Sequence, residues 1–121
     1  MLDTEWSASF PKSFRIKKKK VFNRLYEDGH KISGFYYAVY FFYAKSPSRL
    51  GITVSSRLGN AVFRNRQKRI IRELFRKVCR SFQTPLQVAV VLAKKPVQDE
   101  SVKELSRIFQ WLSGLSISSA N

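Results

Sequence analysis

The chain has 121 residues, 44% of them hydrophobic, enough to bury one core without disulfides or metal ions. Lys and Arg total 23 against 8 Asp and Glu, a formal net charge of +15, and Cys79 is the only cysteine. These figures exclude a disordered basic tail, a disulfide scaffold and, with no run near the roughly 20 apolar residues of a span, a helical membrane protein.

One domain is expected over residues 1–121, with 1–9 and 115–121 as flexible ends. Asp3 and Glu5 precede any basic or apolar run, unlike a secretory or mitochondrial signal, so a cytoplasmic protein is expected. Residues 10–14 should run extended around Pro11. A helix is expected from about Lys17, where Val21, Phe22, Leu25 and Tyr26 form one apolar face and Gly29 supplies the stop. Residues 35–44, dense in aromatic and β-branched side chains, read as a strand, and residues 45–48 as a turn. Leu50, Ile52 and Val54 then alternate with Gly51, Thr53 and Ser55, the period of a half-buried strand. The two strands are expected to pair as an antiparallel hairpin.

Asn60 is a good N-cap for the strongest helix, whose Phe63, Ile70, Ile71, Leu74, Phe75 and Val78 gather on one side. Residues 86–93 are an almost unbroken apolar run, as in a central strand covered on both faces. Ser101-Val102-Lys103-Glu104 reads as the capping box of a last helix, with Val102, Leu105, Ile108, Phe109 and Leu112 as its stripe and Gly114 as its close. The order helix, two strands, helix, strand, helix makes an α+β sandwich, with helices on a mostly antiparallel sheet.

The informative stretch is the second helix. At about 100° per residue, Lys68, Arg69, Arg72 and Arg76 fall on one arc, with Asn65 inside it and Arg66 at its far edge. Arg64 sits near the boundary in the first turn, where free backbone N–H groups also favour an anion. A solvated face normally mixes signs, yet Glu73 is the only acid between Arg64 and Arg80. Like charges at i, i+4 destabilise a free helix, so a partner must offset them. A polyanion does so, and arginine's planar fork suits phosphate.

A second basic cluster, Arg15 with residues 17–20 and Arg24, flanks the first helix. Phe22 and Tyr26 share an edge of that helix, while Tyr36, Ala38, Tyr40 and Phe42 share one face of the following strand. Core packing accounts for most aromatics, but tyrosine carries a hydroxyl that wants a partner, and rings bordered by lysine are how single-stranded RNA is held. Catalytic chemistry is thin. His30 is alone in an expected loop, no Cys/His set has zinc spacing, and no carboxylates converge as a two-metal nuclease needs. Cys79, late in a helix, reads as an inert thiol.

The run Ala61-Val62-Phe63-Arg64-Asn65-Arg66-Gln67-Lys68-Arg69, with Arg72-Glu73 following, resembles the protein component of bacterial ribonuclease P. That family carries an arginine-asparagine-arginine triplet, then Lys-Arg and a further arginine, on a helix opened by Gly-Asn-Ala-Val. Arg64, Asn65, Arg66, Lys68, Arg69 and Arg72 match it position by position, and the Gly51-Ile52-Thr53-Val54-Ser55 strand precedes them as expected. The resemblance covers roughly residues 10–109.

The resemblance implies a left-handed βαβ crossover across residues 50–93, as in the second domain of a small-subunit ribosomal protein, against the usual hand. It implies that an RNA subunit performs the Mg²⁺-dependent hydrolysis that removes the 5′ leader of precursor tRNA. The protein, one copy per RNA and with no cofactor of its own, would bind the leader and the catalytic RNA. The arginine-rich helix, with Arg76 at its end, would contact that RNA. Phe22, Tyr26, Ala38 and Tyr40, with Lys18, would form the leader cleft, and Arg15, Lys17 and Arg57 would touch phosphates. Two departures stand out: Lys19-Lys20-Val21 where an acid often precedes the helix aromatic, and Ser56-Arg57 where a Lys-Lys pair is common.

A ribosomal or other structural RNA-binding protein is the alternative with the same charge and size. A self-sufficient nuclease would need metal-dependent cutting without RNA. A DNA-binding regulator is disfavoured, since no helix-turn-helix or dimer seam is evident.

Overall fold

The computed structural model describes residues 15–115 apart from 46 and 97. The expected flexible segment 1–9, the extended stretch 10–14 and all of the expected flexible segment 115–121 except Leu115 lie outside the described residues. Helix α1, Lys19–Asp28, presses Leu25 fully into the fold. Gly29 ends it, donating its N–H to the Leu25 carbonyl at 3.0 Å. A Cβ there would stand 2.5 Å from that same oxygen and 3.3 Å from the Phe41 carbonyl, so close approach demands the glycine.

Three strands follow before the next helix: β1 (His30–Ser33), β2 (Tyr37–Tyr43) and β3 (Arg49–Val54). Helix α2 (Ala61–Val78) leads to β4 (Leu86–Leu92), and α3 (Gln98–Ser113) closes the chain. The sheet order is β1-β2-β4-β3. Antiparallel ladders join β1 to β2 (Ser33 opposite Ala38) and β2 to β4 (Tyr37 opposite Leu92), while β3 runs parallel to β4 (Leu50 opposite Val88). The fold is therefore the expected α+β sandwich with a four-stranded, mostly antiparallel sheet. Its β3–α2–β4 connection links adjacent parallel strands, the unit to which the family resemblance assigns the crossover.

Two expectations about the strands are corrected. His30 is not in a loop but opens β1, a strand of four residues with Ile32 as its sole aliphatic side chain. And β2 does not pair with β3. Strand β4 takes the seat between them because it is apolar on both faces: Leu86, Val88, Val90 and Leu92 on one, fully buried Ala89 on the other. The Ala44 N–H donates to the Pro85 carbonyl at 2.8 Å and the Leu86 N–H to the Ser48 hydroxyl at 3.0 Å, clasping the start of β4 between the end of β2 and the start of β3. Strand β3, with exposed Arg49 and Thr53, is left at the edge.

The main core lies on the face carrying Tyr37, Val39, Phe41, Leu50 and Val54, filled by Ile71 and Phe75 of α2 and Leu105, Phe109 and Leu112 of α3. Phe75 packs edge-on against Phe82 and Phe109, with centroids 5.6 and 5.7 Å away. On the other face, among the described residues, α1 covers the sheet through Leu25 and Val21, with Ile16 beside them. The expected Asn60 cap is present, its Oδ1 accepting from the Phe63 N–H at 2.9 Å, a contact worth about 1 kcal/mol.

The capping box is not formed. Helix α3 begins at Gln98, which puts Ser101 inside it, buried beside Tyr37. The Glu104 carboxylate reaches across to accept from the N–H groups of Phe35, Tyr36 and Tyr37 at 2.8, 2.9 and 3.0 Å. Leu115 is half-buried against the core, its N–H donating to the Leu112 carbonyl at 3.1 Å.

Candidate nucleic-acid interface

Helix α2 buries Gln67, Ile71 and Phe75 and turns its basic side outward. Asn65 and Arg69 are exposed, with Lys68, Arg72 and Arg76 half-buried along the same arc. Arg64 and Arg66 part from it. Arg64 folds back, donating from Nη1 to the Gly59 carbonyl at 3.3 Å, whereas Arg66 faces a groove between α2 and α3. Arg57 is exposed on the short turn before α2, where the Ser55 hydroxyl accepts from its N–H at 3.2 Å.

Residues 15 and 16 run parallel beside β3, with the Ile16 N–H donating to the Leu50 carbonyl at 2.9 Å. This brings Arg15 near α2. Burial, and after it the Arg15 charge, holds Arg72 below the usual arginine range. The Arg15 Nε is buried with no hydrogen-bond partner among the described residues, so part of a second guanidinium is taken out of water in this corner. Adjacent to it, Arg15, Lys17, Lys18 and Arg49 line a groove of about 320 Å³ that also takes in Gln87. Lys18 is the N-cap of α1, and it offers no side-chain acceptor to the helix N–H groups. The first turn of α1 holds no acid either, and among the described residues the groove is lined by cations without a carboxylate.

Across the outer face of the sheet, the Phe22, Tyr26 and Tyr40 rings form a continuous wall. Phe22 and Tyr26 lie 6.1 Å apart, and Tyr26 meets Tyr40 edge-on at 5.0 Å. The Lys31 ammonium sits 5.4 Å from the Tyr40 ring and the Arg24 guanidinium 5.2 Å from Phe42. Ala38 is half-buried in the same strand, its small side chain leaving the sheet floor open beside Tyr40. Phe22 has a second task. Its ring lies over Gly51, where a Cβ would fall 2.6 Å from its Cε1, so the sheet glycine is what lets α1 approach.

The structure thus brings Phe22, Tyr26, Ala38 and Tyr40 to one surface, with Lys18, Lys17 and Arg15 at its α1 end. It removes Tyr36 from that face. Tyr36 precedes β2, its hydroxyl donates to Glu100 at 3.0 Å, and burial beside two glutamates pushes its phenol up. Sequence reasoning missed Arg49, Thr53 and Lys31, and placed Arg24 in the basic cluster without its Phe42 partner. Only Arg49 and Thr53 carried a signal, since they alternate with the buried positions of β3. Cys79 is half-buried, with burial pushing its thiol up, as suits an inert group. Among the described residues, no His, Cys, Asp or Glu cluster could hold a metal ion, and no helix is long and apolar enough to cross a membrane.

Comparison with known proteins decides the family to which this arrangement of residues belongs. Residues 10–114 match the Ribonuclease P family. The chain belongs to that family. The ribonuclease P protein component of Streptococcus thermophilus is 41% identical over 95 residues, covering 78% of this chain and 84% of its own length. That of Staphylococcus aureus is 41% identical over 96 residues, 78% of this chain and 82% of its own.

Solved structures agree on the fold. An S. aureus ribonuclease P protein, a mutant described as defective in mRNA degradation activity, superposes with a TM-score of 0.71 at 31% identity, over 89% of this chain and 92% of that one. The Thermotoga maritima ribonuclease P protein gives 0.69 at 27% identity, over 84% and 97%. Membership in the ribonuclease P protein family makes this chain a protein component of a tRNA-processing endoribonuclease.

Proposed function

We propose that this protein binds the catalytic RNA of ribonuclease P through α2 and the 5′ leader of precursor tRNA through the α1–sheet cleft. The observation that carries the reading is the Phe22–Tyr26–Tyr40 wall, flanked by Lys31, Arg24 and the Arg15–Lys18 corner. Rings set in a positive surface take unstacked bases while the cations take phosphates. The exposed Asn65 and Arg69, with Lys68, Arg72 and Arg76, give the catalytic RNA a separate basic face. Arg64, Arg66 and Arg57 add cations around the start of that helix.

In this division of labour the RNA subunit hydrolyses the leader with Mg²⁺, and the protein supplies binding and orientation. It works in the cytoplasm, one copy per RNA. The test is multiple-turnover cleavage of a precursor tRNA by bacterial ribonuclease P RNA at low Mg²⁺. Strong rescue by the protein, with no cutting by protein alone, is the expected result. A folded protein that gives no rescue overturns the reading and leaves a ribosome-type RNA binder in its place.

A further inference from the structure

The groove between α2 and α3 has no part in the cleft or the basic arc. It encloses about 440 Å³, within the range of small-molecule sites. Its walls are Phe63 and Ile70 of α2 with Pro96 and Val102 opposite, and Arg66 stands at its rim. Gln67 forms its floor and is only 9% exposed. Yet the Gln67 amide makes no hydrogen bond among the described residues, and neither of its polar atoms is sealed from the groove. An amide that is held by no protein partner and opens into a groove has its N–H and carbonyl free to exchange water for a ligand.

We infer that this groove binds one unpaired RNA base, an adenine or cytosine, read along its Watson–Crick edge by the Gln67 amide. Both bases set a ring nitrogen acceptor beside an exocyclic amino donor, the complement of an amide's N–H and carbonyl. Phe63 and Ile70 offer apolar surface to the base, and Arg66 lies where the attached phosphate would emerge. Asp99 on the groove wall disfavours a free anion, which leaves a neutral base as the better fit. Asn65 and Arg69 are neighbours on the same helix, so RNA lying along the basic arc reaches the rim directly. The inference rests on the reading of α2 as the helix that faces the catalytic RNA.

Gln67→Met keeps the reach of the side chain and removes the amide. The experiment measures binding of the full protein to ribonuclease P RNA across a salt series, together with dimethyl sulfate probing of the complex. Gln67→Met should weaken binding about ten-fold without changing the salt slope, because no phosphate contact is lost. One unpaired adenine or cytosine protected by the wild-type protein should become reactive. The variant's thermal midpoint should not fall, since an unpartnered amide gives way to an apolar group, and Gln67→Leu should repeat the result. Equal affinity with an identical methylation pattern overturns the inference. A groove that serves a protein partner would produce that same pair of results. A wild-type protein that does not bind the RNA overturns the proposed function, and this inference with it.

Discussion

The Tyr26 hydroxyl lies 3.0 Å from the Thr53 hydroxyl, tying α1 to the edge strand across the cleft. That bond answers the question raised by a tyrosine on an apolar helix face. The polar tip is anchored to the sheet while the ring, 37% exposed, stays available beside Tyr40.

Tyr26 is therefore the cleanest probe of the leader cleft. Tyr26→Ala should weaken leader binding by about 1–3 kcal/mol, the worth of one stacked base, with little loss of stability. Phe22→Ala should weaken it too but also destabilise the fold, because the Phe22 ring packs on Gly51. Tyr26→Phe keeps the ring and should retain most of the affinity. Fluorescence titration of precursor tRNA against leaderless tRNA separates these cases. A Tyr26→Ala variant that discriminates between the two RNAs as wild type does would exclude stacking at this position.

The basic arc of α2 makes a different prediction, because phosphate contacts reveal themselves through salt. Arg69→Ala should weaken RNA binding and reduce the slope of log K against log salt by about 0.7–0.9, one contact's worth. Lys77, exposed but about 80° round the helix from Arg69 and outside the arc, is the control, and Lys77→Ala should leave the slope as it is. Equal slopes for Arg69→Ala and wild type would remove Arg69 from the interface.

Glu104 shows where sequence reasoning reached its limit. Ser101 and Glu104 have capping-box spacing, but such spacing says nothing of what stands across the interface. The β1–β2 turn does, offering three N–H groups at once. Gly34 makes room there, since a Cβ at that position would fall 2.6 Å from the Glu104 Cδ. The missed β1 has the same cause, a strand of four residues held by the ladder to β2 and by this distant glutamate. Helices α2 and α1, by contrast, were legible from periodicity and from Asn60 and Gly29, because those signals are local. The arginine face was legible for the same reason. The wall of Phe22, Tyr26 and Tyr40 was only half legible, since which rings share a surface depends on how α1 crosses the sheet. The seat of β4 between β2 and β3 is non-local as well, and the expected β2–β3 hairpin missed it.

Glu104→Ala should accordingly destabilise the protein by about 2–4 kcal/mol, because the buried Tyr36 and Tyr37 N–H groups lose their acceptor. Glu104→Gln keeps an acceptor oxygen and should cost less. Urea denaturation gives both values. A Glu104→Ala midpoint within error of wild type would mean that water replaces the carboxylate.

Tyr37 gives the fold a dependence on high pH. Burial pushes its phenol up from 10 to about 12, and the nearby Glu104 charge adds to this while a hydrogen bond from Ser101 opposes it. Below pH 10 the phenol is protonated in both folded and unfolded chains, so its contribution to stability is fully present. Above that the unfolded chain gives up the proton first, and stability is lost as pH rises toward and through 12. Between pH 9 and pH 11 the loss should be about 1–1.5 kcal/mol from this group. Tyr36, raised by burial and by Glu100, adds to the same slope, so the informative comparison is variant against wild type. Tyr37→Phe should start less stable, having lost the Ser101 bond, and should fall less steeply over that interval. Parallel curves for the two proteins would show that Tyr37 ionises in the native state as readily as it does unfolded.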